Sequence, residues 1–146
     1  MHGKRAVVLM MGIWSLFIRE THASDTHSVL CKTDRETYRQ GDEVTVTITN
    51  NSNDGLTIAD RNYIDGGFAS IEMKHTDGTW HAIELYAAAN IINARTLKKG
   101  ESHRYVWKTI GYNRSDTVAG LGAHRIKLQN ELISNEFIIT DGTHSR

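Results

Sequence analysis

Histidine is the residue type with which this chain could most readily hold a metal ion. Four of its eight histidines lie within or beside segments that alternate like strands: His75, His81, His103 and His124. Their spacing matches no recognised zinc pattern, and a zinc site also requires a third ligand and ordered partners around it. His75 and His81 flank an Asp-Gly turn, so we expect their rings to lie close together at a strand end. We interpret all four as surface or sheet-end histidines and predict no metal site.

The side chains that could act as nucleophiles or acid–base pairs lack the surroundings that such reactions need. Cys31 is the single cysteine, and no glycine-rich turn or helix start lies beside it to lower its thiol pKa. No serine occurs in a Gly-x-Ser-x-Gly turn, and no glycine loop could hold a phosphate. Asp42 and Glu43 flank a turn, where carboxylates are normally solvated. The sequence therefore predicts no enzyme activity and no cofactor.

Two tryptophans could bind a ligand by stacking. Trp80 and Trp107 are large, flat side chains with one polar group, which suits contact with a sugar ring or a peptide. Each also lies in an alternating segment, and the core of a β-sandwich commonly holds one or two such aromatic residues. We expect both tryptophans in the core, with a carbohydrate-binding surface as the alternative.

Segments in which apolar and polar residues alternate with a period of two would position these residues. Such segments recur from residue 28 onward. Residues 44–49 alternate valine or isoleucine with threonine, which predicts a strand with one apolar face. The Asp77-Gly78 pair between two alternating runs predicts a hairpin. About seven strands are predicted in all, at residues 28–33, 44–49, 69–74, 80–85, 103–108, 124–129 and 136–140. This pattern is typical of an all-β protein, here a single antiparallel β-sandwich.

Three connections are longer than hairpins need: residues 55–67, 86–96 and 110–122. Long loops on a rigid scaffold are frequent binding sites. Ile91 and Ile92 are apolar residues in the second loop, where they either close the end of the core or face a partner. The sequence thus indicates regions that could bind a partner, but no individual partner-binding residue.

The first 23 residues differ in composition from the rest. A basic start with Lys4 and Arg5 precedes an apolar run at 6–18, and residues 21–23, Thr-His-Ala, match a leader-peptidase site. This layout is typical of a secretory signal peptide, and the run is shorter than the roughly 20 residues of a membrane span. We expect a signal peptide at 1–23, one domain at 28–141, a disordered tail at 142–146, and a periplasmic or secreted location.

Length, charge and cysteine content limit the partner classes. The 146 residues suffice for one core, and 17 basic against 17 acidic residues create no uniform field that would attract nucleic acid or an anionic membrane. A single cysteine excludes an internal disulfide, so the fold is held by packing. Leu30 precedes Cys31 where lipoprotein processing needs a small residue, so we predict no lipid anchor there.

Four stretches between residues 30 and 140 carry a family resemblance. They are Tyr38-x-x-Gly41-x-x-Val44 with the alternating run after it, Asp77-Gly78-Thr79-Trp80, Leu97-Lys98-Lys99-Gly100-Glu101-Ser102, and Gly122-Ala123-His124-Arg125-Ile126. Their order resembles the bacterial immunoglobulin-like domains related to the intracellular proteinase inhibitor of bacilli. The resemblance implies an immunoglobulin-like β-sandwich and, less directly, inhibition of a proteinase.

The chain departs from that family before its penultimate strand. Such domains read Pro-Gly-x-Tyr where this chain reads Leu121-Gly122-Ala123-His124. The tyrosine bonds back across a corner of the sandwich, so we expect His124 to replace that bond or to lose it. A leader is the second departure, because an intracellular inhibitor needs none.

We therefore expect an exported, non-enzymatic immunoglobulin-like binding or adaptor domain whose partner is another envelope or extracellular protein. No nucleic acid partner and no stable membrane span are expected. The first alternative is a proteinase inhibitor that presents loop 86–96 or 110–122, and the second is a carbohydrate-binding module.

Overall fold

The computed structural model describes residues 28–83, 85, 87, 92–109 and 119–142. The predicted signal peptide, residues 143–146 of the predicted tail, and parts of loops 86–96 and 110–122 lie outside these ranges. The described elements are β1 (Val29–Thr33), β2 (Thr37–Arg39), β3 (Glu43–Asn50), β4 (Leu56–Ala59), β5 (Ala69–Lys74), β6 (Trp80–Ile83), β7 (Ala94–Leu97), β8 (Ser102–Lys108), β9 (Gly122–Leu128), a 3-10 helix (Gln129–Glu131) and β10 (Phe137–Thr140).

The described strands form three sheets, and this part of the chain is all-β. One sheet has the order β1-β3-β8, the second has the order β2-β10-β9-β5-β6, and β4 pairs with β7 in the third. All seven predicted strands are present. The prediction missed β2, β4 and β7, so the number of about seven was too low. The predicted antiparallel pairing holds for the other described strand pairs but not for β10 and β2, which pair in parallel.

Alternation along the strands brings the two larger sheets together around one core. Val44, Val46 and Ile48 of β3 are buried, while the threonines between them are only partly so. Ile71 of β5 and Ile126 of β9 face the same core from the five-stranded sheet and have no exposed surface. Burial of such side chains contributes about 25 cal/mol per Å² of apolar area, so this shared core stabilises the fold.

A tyrosine fixes the turn that leads into β2. Tyr38 is buried, and its ring meets Phe137 edge to face at 5.4 Å between centroids. Its hydroxyl donates to Asp34 Oδ1 at 2.6 Å and accepts the backbone N–H of Arg35 at 3.0 Å. Burial, followed by the bond to Asp34, raises the pKa of Tyr38 to about 12. The hydroxyl therefore stays protonated and continues to donate at physiological pH.

The predicted loop at 55–67 is in fact built into the fold. It contains β4, and Ile64 beyond that strand has no exposed surface. Ile64 N–H donates to the Val106 carbonyl at 2.9 Å, and Val106 N–H donates to the Asn62 carbonyl at 2.8 Å. An ion pair between Arg61 and Asp65, at 2.8 Å, holds the turn that follows. This segment extends the three-stranded sheet beyond β8.

No helix in the described part of the chain combines the length and apolar character that a membrane span requires.

Candidate binding sites

The outward side of the five-stranded sheet carries an aromatic and charged cluster. Side chains that alternate with the core residues of β5, β6, β9 and β10 point to this side. We name it the Trp80 face, and it consists of Ser70, Glu72, Lys74, Trp80, Ala82, Ala123, Arg125, Lys127 and Ile138.

Trp80, Arg125 and Glu72 form the centre of the Trp80 face. Arg125 Nε donates to Glu72 Oε2 at 2.5 Å, and the two side chains are only 26% and 15% exposed. The Arg125 guanidinium carbon lies 4.3 Å from the centroid of the Trp80 ring, within the range of a cation–π contact. The indole, reaching across β5, thus shields an ion pair on a side of the sheet that otherwise faces solvent.

Further contacts order the edges of this face. Lys74 Nζ lies 5.4 Å from the Trp80 ring centroid and 3.3 Å from Glu136 Oε2. Ile138 pairs with Ala123 and is 38% exposed, which places an apolar patch beside the charged cluster. The face therefore combines a partly exposed tryptophan, a held arginine and an exposed aliphatic side chain.

The two tryptophans have opposite environments. Trp107 is 3% exposed and contacts Phe137 in the core, as predicted. The core position expected for Trp80 was wrong, because Trp80 pairs with Lys74 and shares its outward orientation. Sequence reasoning also missed Arg125 and Glu72. Glu72 on β5 lies directly opposite Arg125 on β9. The sequence signal that could have found this pair was the opposite charge of two residues at outward positions of two predicted strands.

The four histidines are not equivalent. His75 and His81 lie close together as predicted, with ring centroids 4.0 Å apart at the exposed tip of the β5–β6 hairpin. His81 Nε2 also lies 2.8 Å from Thr79 Oγ1. His103 Nε2 lies 2.6 Å from the Arg61 carbonyl oxygen, which fixes the ring beside β8. The described residues contain no group of three or more histidine, cysteine, aspartate or glutamate side chains arranged to bind a metal.

His124 is a core residue, so its assignment to the surface or a sheet end was wrong. It has no exposed surface and stacks on Phe137 with 6.0 Å between ring centroids. Nδ1 lies 2.9 Å from the Gly122 carbonyl, whereas Nε2 has no hydrogen-bond partner among the residues that the structure describes. Burial lowers the pKa of His124 below 6.5, and the bond to Gly122 opposes this effect. The bond is local, so His124 does not reach back across the fold as the family's tyrosine does.

Cys31 and Asp42 are poorly placed for catalysis. Cys31 packs against the core, and burial raises its thiol pKa to about 11, so little thiolate exists near neutral pH. Asp42 accepts a hydrogen bond from the Arg39 N–H and pairs with Arg35 at 3.1 Å. These contacts, the backbone bond first, lower the pKa of Asp42 and keep it ionised in a turn.

A pocket of about 250 Å³ lies where the β4–β7 pair meets the two larger sheets. Its walls include Ile48 of β3, Ile58 of β4, Tyr105 of β8 and Leu128 of β9. None of the described residues that line it is charged. Ile92 also lines it and packs against the core, which corresponds to the first of the two interpretations given for this apolar pair, while Ile91 lies outside the described residues.

No protein-family model matches the chain. No curated protein matches it either. Among solved structures, it is similar to the alkylpurine DNA glycosylase AlkC of Pseudomonas fluorescens bound to DNA with an abasic site analog, at 10% identity over 77% of this chain and 30% of that chain, with a TM-score of 0.40.

Two further solved structures are similar over comparable lengths. A β-glucosidase from Listeria innocua in complex with gluconolactone has 18% identity over 76% of this chain and 16% of its own, with a TM-score of 0.36. The sporulation control protein Spo0M from Bacillus subtilis has 20% identity over 80% of this chain and 49% of its own, with a TM-score of 0.34. The chain thus spans less than half of each of these proteins, and likeness at this level supports no inference about function.

Proposed function

We propose that this protein is an exported, non-enzymatic immunoglobulin-like β-sandwich that binds another envelope or extracellular protein through the Trp80 face. The observation that carries the proposal is the cluster of Trp80, Arg125 and Glu72 on the outward side of the five-stranded sheet. Tryptophan and arginine are the residue types most enriched at the energetic centres of protein interfaces. The sandwich arrangement rests on one core shared by both larger sheets, and export rests on the composition of residues 1–23.

The side chains of the cluster are held by contacts with one another. Glu72 holds Arg125 at 2.5 Å, and Arg125 holds the indole from above. A side chain already fixed in place loses less conformational entropy on binding, typically about 0.5–1.5 kcal/mol less for each rotamer-rich side chain. A partner that covers Trp80 and Ile138 would also desolvate the ion pair further, which favours a partner that supplies a polar group to Arg125.

Carbohydrate binding is the second candidate, because Trp80 is partly exposed. The guanidinium of Arg125 lies over its ring, however, and a sugar would have to displace that contact in order to stack. We therefore rank a protein partner first. Proteinase inhibition through loop 86–96 or 110–122 stays an alternative proposal.

The test is affinity capture from the envelope fraction of the source organism with three full-length baits: the unchanged chain, Trp80→Ser and Leu30→Ser. Leu30 is 52% exposed on β1, which belongs to the other large sheet, so it provides a matched loss of exposed apolar surface. We expect the Trp80→Ser bait to lose a protein that the other two retain.

Equal capture by all three baits would contradict the assignment of the Trp80 face. A protein lost only with Leu30→Ser would move the binding surface to the three-stranded sheet. Soluble glycans that compete for the unchanged bait, with quenching of Trp80 fluorescence, would favour the carbohydrate alternative.

A further inference from the structure

We propose that the pocket between the β4–β7 pair and the two larger sheets binds a small uncharged amphiphile. Such a ligand has a short aliphatic chain or a single aromatic ring and one neutral polar group, such as a hydroxyl. This site is separate from the Trp80 face and shares no residue with it.

The volume of the pocket sets the size of the ligand. At about 250 Å³, it is larger than the roughly 150 Å³ apolar cavity that takes up benzene in another protein. It is smaller than the roughly 300 Å³ at which pockets for drug-sized ligands begin. At the packing density of protein interiors, it accommodates a chain of about eight carbons.

The residues that line the pocket determine the chemical class of the ligand. Ile48, Ile58 and Leu128 form apolar walls, and none of the described lining residues is charged. An ionised ligand would lose its hydration without gaining a counter-charge, so a neutral ligand is favoured. Asn93 and Gln129 contribute neutral amide groups to the lining, which places the polar group of the ligand beside them.

Hydrogen bonds hold the walls in place. The Tyr105 hydroxyl donates to the Ala59 carbonyl at 2.7 Å, which ties β8 to β4 inside the pocket. Backbone bonds fix the other side: Gln129 N–H donates to the Phe68 carbonyl at 2.9 Å, and Asp60 N–H to the Asn93 carbonyl at 2.7 Å. These hydrogen bonds are all internal to the protein and hold the walls together, so binding requires little ordering of the protein.

The first experiment titrates the full chain, with labelled methyl groups, with 1-octanol and with octanoate while NMR spectra are recorded. The two probes share a chain length and differ in charge. We expect 1-octanol to shift the methyl signals of Ile58 and Leu128 until they saturate, with octanoate at least ten-fold weaker. Shifts confined to other methyl groups, or equal affinity for both probes, would overturn the proposal.

Variants give the second test. Ala59 is a buried lining residue, so Ala59→Leu fills the pocket, while Ala82→Leu adds the same atoms on the Trp80 face. We expect at least a ten-fold loss of 1-octanol affinity in the first and no change in the second. Unchanged affinity in Ala59→Leu would contradict the site.

An enlarging variant keeps the proposal testable if Ala59→Leu fails to fold. Leu132 lines the pocket and is only partly buried, so Leu132→Ala enlarges it with limited loss of core contacts. We expect affinity for 1-decanol to rise relative to that for 1-octanol. An unchanged preference between the two alcohols would count against the pocket as their binding site.

Discussion

Replacing His124 with leucine tests the energetic role of the buried imidazole. A carbonyl can only accept a hydrogen bond, so the contact with Gly122 requires a proton on Nδ1. Nε2 is then an acceptor with no donor in the described part of the chain, at a core position with no exposed surface. Leucine has a similar volume and contains no polar atom, so it removes the unpaired acceptor without opening a large cavity.

The expected gain follows from two opposing effects. A buried polar atom without a partner costs about 1–3 kcal/mol, and the lost bond to Gly122 contributes about 0.5–1.5 kcal/mol. Leucine would pack against Trp107 and Phe137, the rings that now contact His124. We expect His124→Leu to raise the free energy of unfolding at pH 7.5 by about 1 kcal/mol.

The same substitution changes the pH dependence of stability. The unfolded chain protonates His124 near pH 6.5, whereas the folded chain, whose His124 pKa is lowered by burial, stays neutral until a lower pH. The stability linked to His124 is therefore complete above pH 6.5 and is lost as pH falls toward the folded pKa. At pH 5 this loss is at most about 2 kcal/mol.

Urea unfolding at pH 7.5 and pH 5.0 measures both effects. The baseline is the unchanged chain, and His81→Leu, at an exposed position in the β5–β6 hairpin, is the control. Between the two pH values, we expect His124→Leu to lose less stability than the unchanged chain, while His81→Leu follows the unchanged chain. Equal losses in all three proteins would refute the buried, neutral state of His124.

Three further predictions concern single residues. Tyr38→Phe removes the hydroxyl bond to Asp34, so the free energy of unfolding in urea should fall by about 1–2 kcal/mol; an unchanged midpoint would contradict this. Burial raises the Cys31 pKa to about 11. Its reaction with an aromatic disulfide reagent at pH 8 should therefore be at least ten-fold slower in the folded chain than in urea. Equal rates in the two conditions would contradict the burial of Cys31. Gly78 has φ +85° and open space around its Cα. Gly78→Ala should therefore lower the free energy of unfolding by about 1 kcal/mol through backbone conformation alone. Gly142→Ala should leave the free energy of unfolding unchanged in the same assay.

Local alternation was enough to predict the strands that form the core. Residues 44–49 alternate over three pairs, and β3 extends this run by one residue at each end. The Asp77-Gly78 hairpin was predicted for a similar reason, because Gly78 takes the positive φ that the turn requires. In both cases the information lies within a few neighbouring residues.

The missed strands depend on contacts that are distant in sequence. β2 has three residues, too few to show a period, and it is stabilised by parallel pairing with β10 at the other end of the chain. β4 and β7 have four residues each, and among the described strands they pair with one another alone. Turn-forming residues around β4 made this region look like a loop.

The errors at His124 and Trp80 have a shared cause. His124 alternates in phase with Ile126, which predicts burial, but its polar side chain favoured a surface interpretation. Ile83 pairs with buried Ile71, and Trp80 lies three positions before Ile83, so the two side chains point to opposite faces of the sheet. The strand phase therefore predicts an outward position for Trp80. In both residues the strand phase determined burial more strongly than the residue type did.

Hydroxyl-radical footprinting of the complex with the captured partner tests the binding surface most directly. We predict that Trp80 and Ile138 become protected when the partner binds, while Leu30 and Tyr63, each 52% exposed on the three-stranded side of the fold, keep their reactivity. Protection of Leu30 and Tyr63 with unchanged reactivity at Trp80 would contradict binding through the Trp80 face.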